Sequence, residues 1–346
     1  MEGISLIMKA VFINGKEDIE LKEVENIQSH NDEFKVLIEV KYVGICGSDL
    51  HYLADGTSGA AVIREPLIPG HELSGILLEE MVYQGATLPK GTEVTVHPAT
   101  YGEKIDRLPN NPEIWPDGSY LGSARYLPHK QGAMVEKMLV DKSQIITLPK
   151  NVSLKLGALA EPLSVGMHAI NLAGGVKGKS VLVSGAGPIG LLAAGAAYTL
   201  GADSVTITDM LAEPLSRAKD MGDIQVLNIM EHEVPEDQFD VVLECSGATP
   251  AISTAFKAVN IGGIIIQVGN LQDKDAPINL SPINIKQATY RGCYRFNSEI
   301  EEALKVLEKN DSLGNVVTQI YNVEKYKEAF AIAANSKLSS KVMIAF

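Results

Sequence analysis

The amino-acid sequence predicts an α/β chain in two parts, one β-rich and one built on a parallel sheet flanked by helices. Three observations carry this. The chain has 346 residues, which suits two domains. Residues 8–150 fall into short stretches that alternate or run β-branched, with Gly and Pro between them. Beyond Asn151, apolar strand-like runs alternate with segments of helical spacing, the pattern of a parallel α/β sheet.

Taken in order, "KAVFING", "FKVLIEVKYVG", "ELSGILLE" and "GTEVTVHP" are expected strands. The stretch "ATYGEKIDRLPNNPEIWPDGSYLGSARYLPHKQG" follows, rich in Pro, Asn and Gly, and loops of such length are usually functional or mobile. "SLKLGALAEPLSVGMHAINLAG" has helical spacing. "KSVLVSGAGPIGLLAAGAAYTLGADSVTITD", "FDVVLECSG" and "TPAISTAFKAVNIGGIIIQVGN" then supply the strand–helix alternation. After Ile285 the character is mixed: "ATYRGCYRF", an amphipathic "SEIEEALKVLEKN" and a last strand "KVMIAF". That terminal segment is expected to rejoin the first part. The expected division is 1–155 with 291–346 for the β-rich domain, and 156–290 for the parallel-sheet domain.

Composition narrows the function. Apolar residues make up 45% and charged residues 21%, ordinary for a globular enzyme. A net charge of −13 repels phosphate backbones and anionic lipid, so neither nucleic acid nor a membrane is the expected partner. No uninterrupted apolar run reaches the roughly 18 residues of a membrane span. The opening "MEGISLIMKAVF" lacks a basic stretch and a cleavage site, so it does not read as a signal peptide. Three scattered cysteines, Cys46, Cys245 and Cys293, form no disulfide framework, and a cytoplasmic setting is expected.

Gly185-x-Gly187-x-x-Gly190 follows the β-branched strand Val181–Val183 and opens an alanine-rich helix. A second strand, "SVTITD", ends in Asp209, nineteen residues after Gly190, where an acid would meet the adenosine ribose. Gly185 permits the tight turn, Gly187 lets the backbone approach a pyrophosphate, and Gly190 lets helix and strand pack closely. This is a Rossmann dinucleotide fingerprint. Asp209 favours NAD over NADP, because a carboxylate repels a 2′-phosphate, and Glu213 adds negative charge. Arg217, a helical turn further on, reads as a solvated helix residue.

A second constellation is dispersed. Cys46, in "VGICGSDLHY", lies 25 residues before His71 in "PGHELSG", and Glu72 follows directly. A further acid, Glu161, lies in "LAEPLSVG". Cys, His and carboxylate together suit a catalytic zinc with one position left for water or substrate. Each residue also has a bland alternative: a buried thiol, a surface His–Glu pair, a helix-capping acid. Spacing leaves both readings open.

"GICGSDLHY", "PGHELSG", "AEPLSVGMHA", "VSGAGPIG" and "RGCYRF" occur in the order seen in the zinc-dependent medium-chain alcohol dehydrogenases, and the chain resembles their polyol branch over nearly its whole length. The resemblance implies a GroES-like β-rich catalytic domain plus a Rossmann NAD-binding domain, and oxidation of a secondary alcohol of a sugar acid or polyol. It implies zinc held by Cys46, His71 and Glu72, with Glu161 next to the metal directly or through water. Ser48 would contact the reacting alcohol and His51 relay its proton, while Tyr52 and Arg295 match substrate-pocket positions. Gly185, Gly187, Pro188, Ile189, Gly190, Asp209 and Val268 would serve NAD, with Val165 against the nicotinamide. A homodimer or homotetramer is implied. The chain departs from many relatives in one respect: the loop after "VTVHP" holds no Cys, so a four-thiolate structural zinc is impossible there and one zinc is expected, with Trp115 and the prolines holding the loop. Met81 stands where a small residue is usual. Arg295, with Arg125, His129 and Lys130 in the loop-rich stretch, favours a sugar acid over a neutral polyol. A zinc-free reductase and a non-enzymatic NAD-binding sensor are the rivals. The set of Cys46, His71 and Glu72 argues against the first, and Ser48 with His51 against the second.

Overall fold

A computed structural model of the chain describes residues 7–28, 32–271 and 274–346. The opening residues Met1–Leu6, part of the segment considered as a leader above, lie outside the described residues. The chain divides into two compact units.

The first unit holds the residues up to Glu161 together with Val317–Asn335 and Lys341–Phe346. Its centre is a seven-stranded sheet ordered Ile145–Thr147, Glu93–Val96, Glu72–Leu77, Lys35–Gly44, Lys341–Ala345 and Val317–Asn322, with Lys137–Asp141 also paired to Lys35–Gly44. The expected strands are all present, each with alternating or continuous buried positions. Val36, Ile38, Val40 and Val43 meet Leu73, Leu77, Val94 and Val96 in one apolar core. Register sets the site: Gly44 lies opposite Glu72 on one side and Met343 on the other. The chain's last strand thus lies beside the strand that leads to Cys46. The cysteine-free lobe is held as expected, by the Trp115 indole N–H donating to the Leu108 carbonyl at 2.9 Å and by Tyr101 packed edge-on against that ring.

The second unit holds Pro162–Val316 and Ser336–Ser340. Six parallel strands run in the order Gln225–Asn228, Ser204–Asp209, Ser180–Ser184, Phe239–Glu244, Val259–Gln267 and Thr289–Gly292. Numbered along the chain this is 3-2-1-4-5-6, the doubly wound dinucleotide-binding order. Val181, Leu182 and Val183 are fully buried at its centre.

The observed return to the first unit lies at Val317 rather than at residue 291. Thr289–Gly292 extends the parallel ladder, with Ile264 opposite Thr289 and Gln267 opposite Gly292. The amphipathic helix Ile300–Lys309 buries Ile300, Ala303, Leu304, Val306 and Leu307 within this second unit. Its pattern gave the helix but not the sheet it covers. No helix among the described residues is long and apolar enough to cross a membrane.

Candidate metal centre and dinucleotide loop

The metal-centre residues come from four separate stretches of the first unit. Cys46 caps the helix Gly47–Asp55 with extended backbone at φ −89° and ψ 157°. His71 precedes the strand Glu72–Leu77, after Gly70, whose φ of +93° suits glycine. One donor atom from each of Cys46, His71 and Glu72 lies within 4.8 Å of the others. Glu161 falls outside that tight set. It is buried, and its Oε1 accepts from the Tyr120 hydroxyl at 2.5 Å. The Tyr120 ring also packs edge-on against His71, centroids 5.4 Å apart.

Two observations test whether these residues fit a metal. Among the described residues, Glu72 Oε2 and His71 Nδ1 are buried polar atoms with no hydrogen-bond partner, a costly arrangement unless something fills it. The electrostatics also call for a cation. Burial alone would keep the His71 imidazole neutral, but the Cys46 sulfur and then the Glu161 and Asp49 carboxylates outweigh it and push its pKa up to about 10. Burial raises the Glu161 carboxyl, and the neighbouring Glu72 charge raises it further. One sulfur, one imidazole and one carboxylate, closely grouped and electron-rich, fit zinc.

Three supporting residues escape a reading of the sequence. Lys341 is buried at the start of the last sheet strand, and its ammonium donates to Glu72 Oε1 at 2.7 Å and to the Ile45 carbonyl at 3.1 Å. Burial would discharge it, yet the Glu72 carboxylate and the Cys46 sulfur hold its pKa above the ordinary lysine value. Asp49, fully buried, accepts from the backbone N–H of Cys46 at 3.0 Å and of Gly70 at 3.1 Å, tying two ligand-bearing segments together. Gly44 leaves room: a Cβ there would lie 2.0 Å from Glu72 Oε2. The signal for Lys341 was a lone cation entering the apolar strand "KVMIAF".

The other predicted residues of this unit separate into two groups. Ser48 is half-buried in the first turn after Cys46, and His51 is exposed one turn later, its Nδ1 3.6 Å from Asp55 Oδ2. Tyr52 is buried, and its hydroxyl accepts from the Ala124 N–H at 3.0 Å, so it braces the loop-rich stretch. His129 departs from its expected role as a cation over the substrate. It is buried, its Nε2 accepts from the Arg64 N–H at 2.9 Å, and its Nδ1 donates to the Tyr126 carbonyl at 2.7 Å. Both ring nitrogens are spent on backbone. Arg125 is exposed over the Tyr126 ring, and Met81 is simply a core residue.

In the second unit the glycine loop has the required shape. Gly185 has φ +99°. Gly187 caps the helix Pro188–Thr199, with Pro188 in its first turn, and a Cβ on Gly187 would meet open space, the approach a pyrophosphate needs. A Cβ on Gly190 would sit 1.9 Å from the Gly185 carbonyl oxygen, so only glycine lets helix and turn close. Ile189 is half-buried in the same turn. Asp209 ends its strand beside the loop, accepting from the Ala186 N–H at 2.8 Å and the Leu211 N–H at 3.0 Å. Val268 follows the fifth strand and donates to the Glu244 carbonyl at 2.8 Å. Glu244, unremarked in the sequence, is buried and accepts from Ser246 and from the Gly247 N–H at 3.0 Å, shaping the next loop along the sheet. Val165 is half-buried. Arg217 is no solvated residue: its guanidinium donates to the carbonyls of Ser336, Lys337 and Ser339. Arg295 has φ +53° and stacks over Tyr294 at 5.0 Å.

Residues 32–150 match the alcohol dehydrogenase GroES-like domain, and residues 188–309 match the zinc-binding dehydrogenase domain. L-idonate 5-dehydrogenase (NAD(P)(+)) of Escherichia coli K12 is 31% identical to this chain over 342 residues, covering 96% of this chain and 97% of that one. The chain belongs to the zinc-dependent medium-chain alcohol dehydrogenases. Sorbitol dehydrogenase of Bos taurus is a relative of this dehydrogenase at 32% identity, over 99% of this chain and 96% of that one. The crystal structure of the E. coli L-idonate 5-dehydrogenase superposes with a TM-score of 0.90 at 29% identity, covering 98% of both chains. The dehydrogenase's β-rich unit thus carries the GroES-like match, and its parallel-sheet unit most of the zinc-binding dehydrogenase match.

Proposed function

We propose that the protein is a zinc- and NAD-dependent dehydrogenase that oxidises a secondary alcohol of a sugar acid or polyol. The observation that carries this is the close grouping of Cys46, His71 and Glu72, with buried donor atoms left open, in a chain whose relatives act on such alcohols by name. One zinc per chain is expected, since the lobe after "VTVHP" has no cysteine. Bound there, zinc supplies Lewis acidity toward the substrate hydroxyl, and bound NAD takes up the hydride.

The chain's own residues do the rest. Cys46, His71 and Glu72 hold the ion, with Glu72 fixed by Lys341. Glu161 has Oε1 occupied by Tyr120 and offers Oε2 to a water or hydroxyl beside it. The Ser48 Oγ accepts the substrate's proton. His51 sits one helical turn on and is 68% exposed, so its imidazole passes that proton to bulk water, with the Asp55 carboxylate beside it to favour the charged form. Asp209 accepts from the ribose hydroxyls and disfavours a 2′-phosphate, hence NAD over NADP. An oligomer of identical chains is expected: the edge strand Thr289–Gly292 is exposed along its length, with Ile261 82% and Ile285 79% exposed in the same unit. A neutral polyol is the second reading for the substrate, favoured by His129 being spent on backbone.

The test is elemental analysis of the purified protein together with NAD and NADP reduction over L-idonate, sorbitol and xylitol. About one zinc per chain and NADH formation are the expected results. Zinc-loaded protein that reduces NAD with none of the three would overturn the reading.

A further inference from the structure

The stretch Ser119–Lys130 builds a wall of its own in the first unit. Ser123 and Lys130 face each other as an isolated antiparallel bridge, exchanging N–H to carbonyl bonds at 3.1 Å in both directions. A pair that exchanges both bonds sets its two side chains on one face. Both residues border a cavity of about 240 Å³, with Ser119, Tyr120 and Tyr126 also in its lining. Lys130 is half-buried, and among the described residues its ammonium has no hydrogen bond or ion pair. A cation that has lost part of its water and gained no counter-charge is a place for an anion.

The wall is preorganised. Tyr52 holds Ala124, the Arg64 N–H donates to His129 Nε2 at 2.9 Å, and the Ile68 N–H donates to Gln131 Oε1 at 2.6 Å. A ligand there would spend little on ordering the protein. The same wall meets the metal centre twice. Tyr120 lines the cavity and donates to Glu161. Ala133 donates to the Gly70 carbonyl at 2.9 Å, next to His71.

We propose that this cavity is the subsite for the carboxylate of a sugar-acid substrate, and that Lys130 sets the preference for acids over neutral polyols. The proposal rests on the dehydrogenase reading above. In a six-carbon acid oxidised near its far end, carboxylate and reacting carbon are several bonds apart. The anion subsite must then be offset from the metal centre while sharing a wall with it, and Tyr120 is that shared wall. One ammonium flanked by the hydroxyls of Ser119 and Ser123 matches a monoanion with hydroxyl neighbours, such as an aldonate. A phosphate dianion would call for a second cation at the wall.

The experiment measures kcat/KM for L-idonate and sorbitol in the wild type, Lys130→Met and Lys130→Arg. Lys130→Met is expected to lose about 10- to 100-fold on L-idonate, mainly through KM, and to change little on sorbitol. Lys130→Arg recovers most of the loss. Wild-type KM for L-idonate rises with added salt while that for sorbitol does not, as a charge pair requires. Equal losses on both substrates would make Lys130 a structural residue and end the proposal, as would no loss on L-idonate. A wild type that oxidises sorbitol but not L-idonate sinks the carboxylate subsite and leaves the dehydrogenase standing. Turnover of neither substrate sinks both.

Discussion

The metal centre and the dinucleotide loop are built in opposite ways. The loop takes its shape from one local stretch, Ser180 to Asp209, and works through backbone: a positive φ at Gly185, missing Cβ atoms at Gly187 and Gly190, and helix N–H groups. The metal centre works through side chains gathered from Cys46, His71, Glu72, Glu161 and Lys341, and the Lys341–Glu72 pair spans 269 residues of sequence. The difference teaches where each site is fragile. The loop fails through sterics, one glycine at a time. The centre fails through uncompensated charge, because each of its buried groups is neutralised by another.

The sharpest break is Cys46→Ser. A serine hydroxyl is a poor zinc ligand, so the loss in metal affinity should exceed the 10- to 100-fold typical of outer residues, and activity should go with it. The fold should remain, since Cys46 is not part of a structural metal lobe. Dialysis against a chelator, metal analysis and far-ultraviolet circular dichroism separate these. Loss of the fold together with the metal would mean that the centre is structural.

Lys341→Met comes next. It leaves Glu72 buried without its partner, and breaking such a pair costs about 3–5 kcal/mol. The cost should be smaller in the zinc-loaded protein, because the ion itself faces Glu72. Denaturant melts with and without zinc test this, and equal losses in the two states would place the ion away from Glu72. Gly190→Ala, the counterpart in the loop, pushes a methyl to 1.9 Å from the Gly185 carbonyl. Overpacking of this kind costs about 1–3 kcal/mol, and NAD affinity should fall while metal content stays. A variant that binds NAD normally would show that the turn has room to yield.

What was legible in the sequence follows the same divide. The glycine loop and Asp209 were readable because strand, turn, helix and acid are consecutive, and the structure returns each in place. The Cys46–His71–Glu72 set was visible only as candidates, because spacing along the chain does not say that Gly44 pairs with Glu72 in a sheet. Lys341 and Asp49 were invisible for the same reason, since their roles exist only once three strands and a helix cap are assembled. His129 looked like a free cation because its backbone partners, Arg64 and Tyr126, are fixed by the tertiary path of the loop. The boundary at 291 missed because an amphipathic helix shows that it covers a sheet without showing which one.

Asp209→Ala tests the loop's chemistry rather than its shape. The carboxylate is lost from the ribose position, so KM for NAD should rise by about tenfold, the worth of one or two hydrogen bonds to a charged acceptor. KM for NADP should change less, and the preference should narrow. Because Asp209 also accepts from Ala186 and Leu211, thermal stability should be followed alongside. A preference that stays unchanged would locate the discrimination elsewhere in the unit.

The smallest expected effect lies in a buried pair of the second unit that serves neither site. His168 Nδ1 lies 2.7 Å from Glu299 Oε1, with both side chains under a tenth exposed. Burial alone would raise the Glu299 carboxyl, but the His168 hydrogen bond and charge, with the Asn297 N–H, hold it below its ordinary value of 4.5. A carboxyl depressed in the folded state adds stability that is fully present above the unfolded value and is lost as pH falls through the folded one. The wild-type melting temperature should therefore drop below pH about 4.5 more steeply than that of Glu299→Gln, which has no charge to lose there. At neutral pH the order reverses, with the wild type the more stable. Parallel acid limbs for the two proteins would place the acid sensitivity in the metal centre's carboxylates and return the contrast between the units to its starting point.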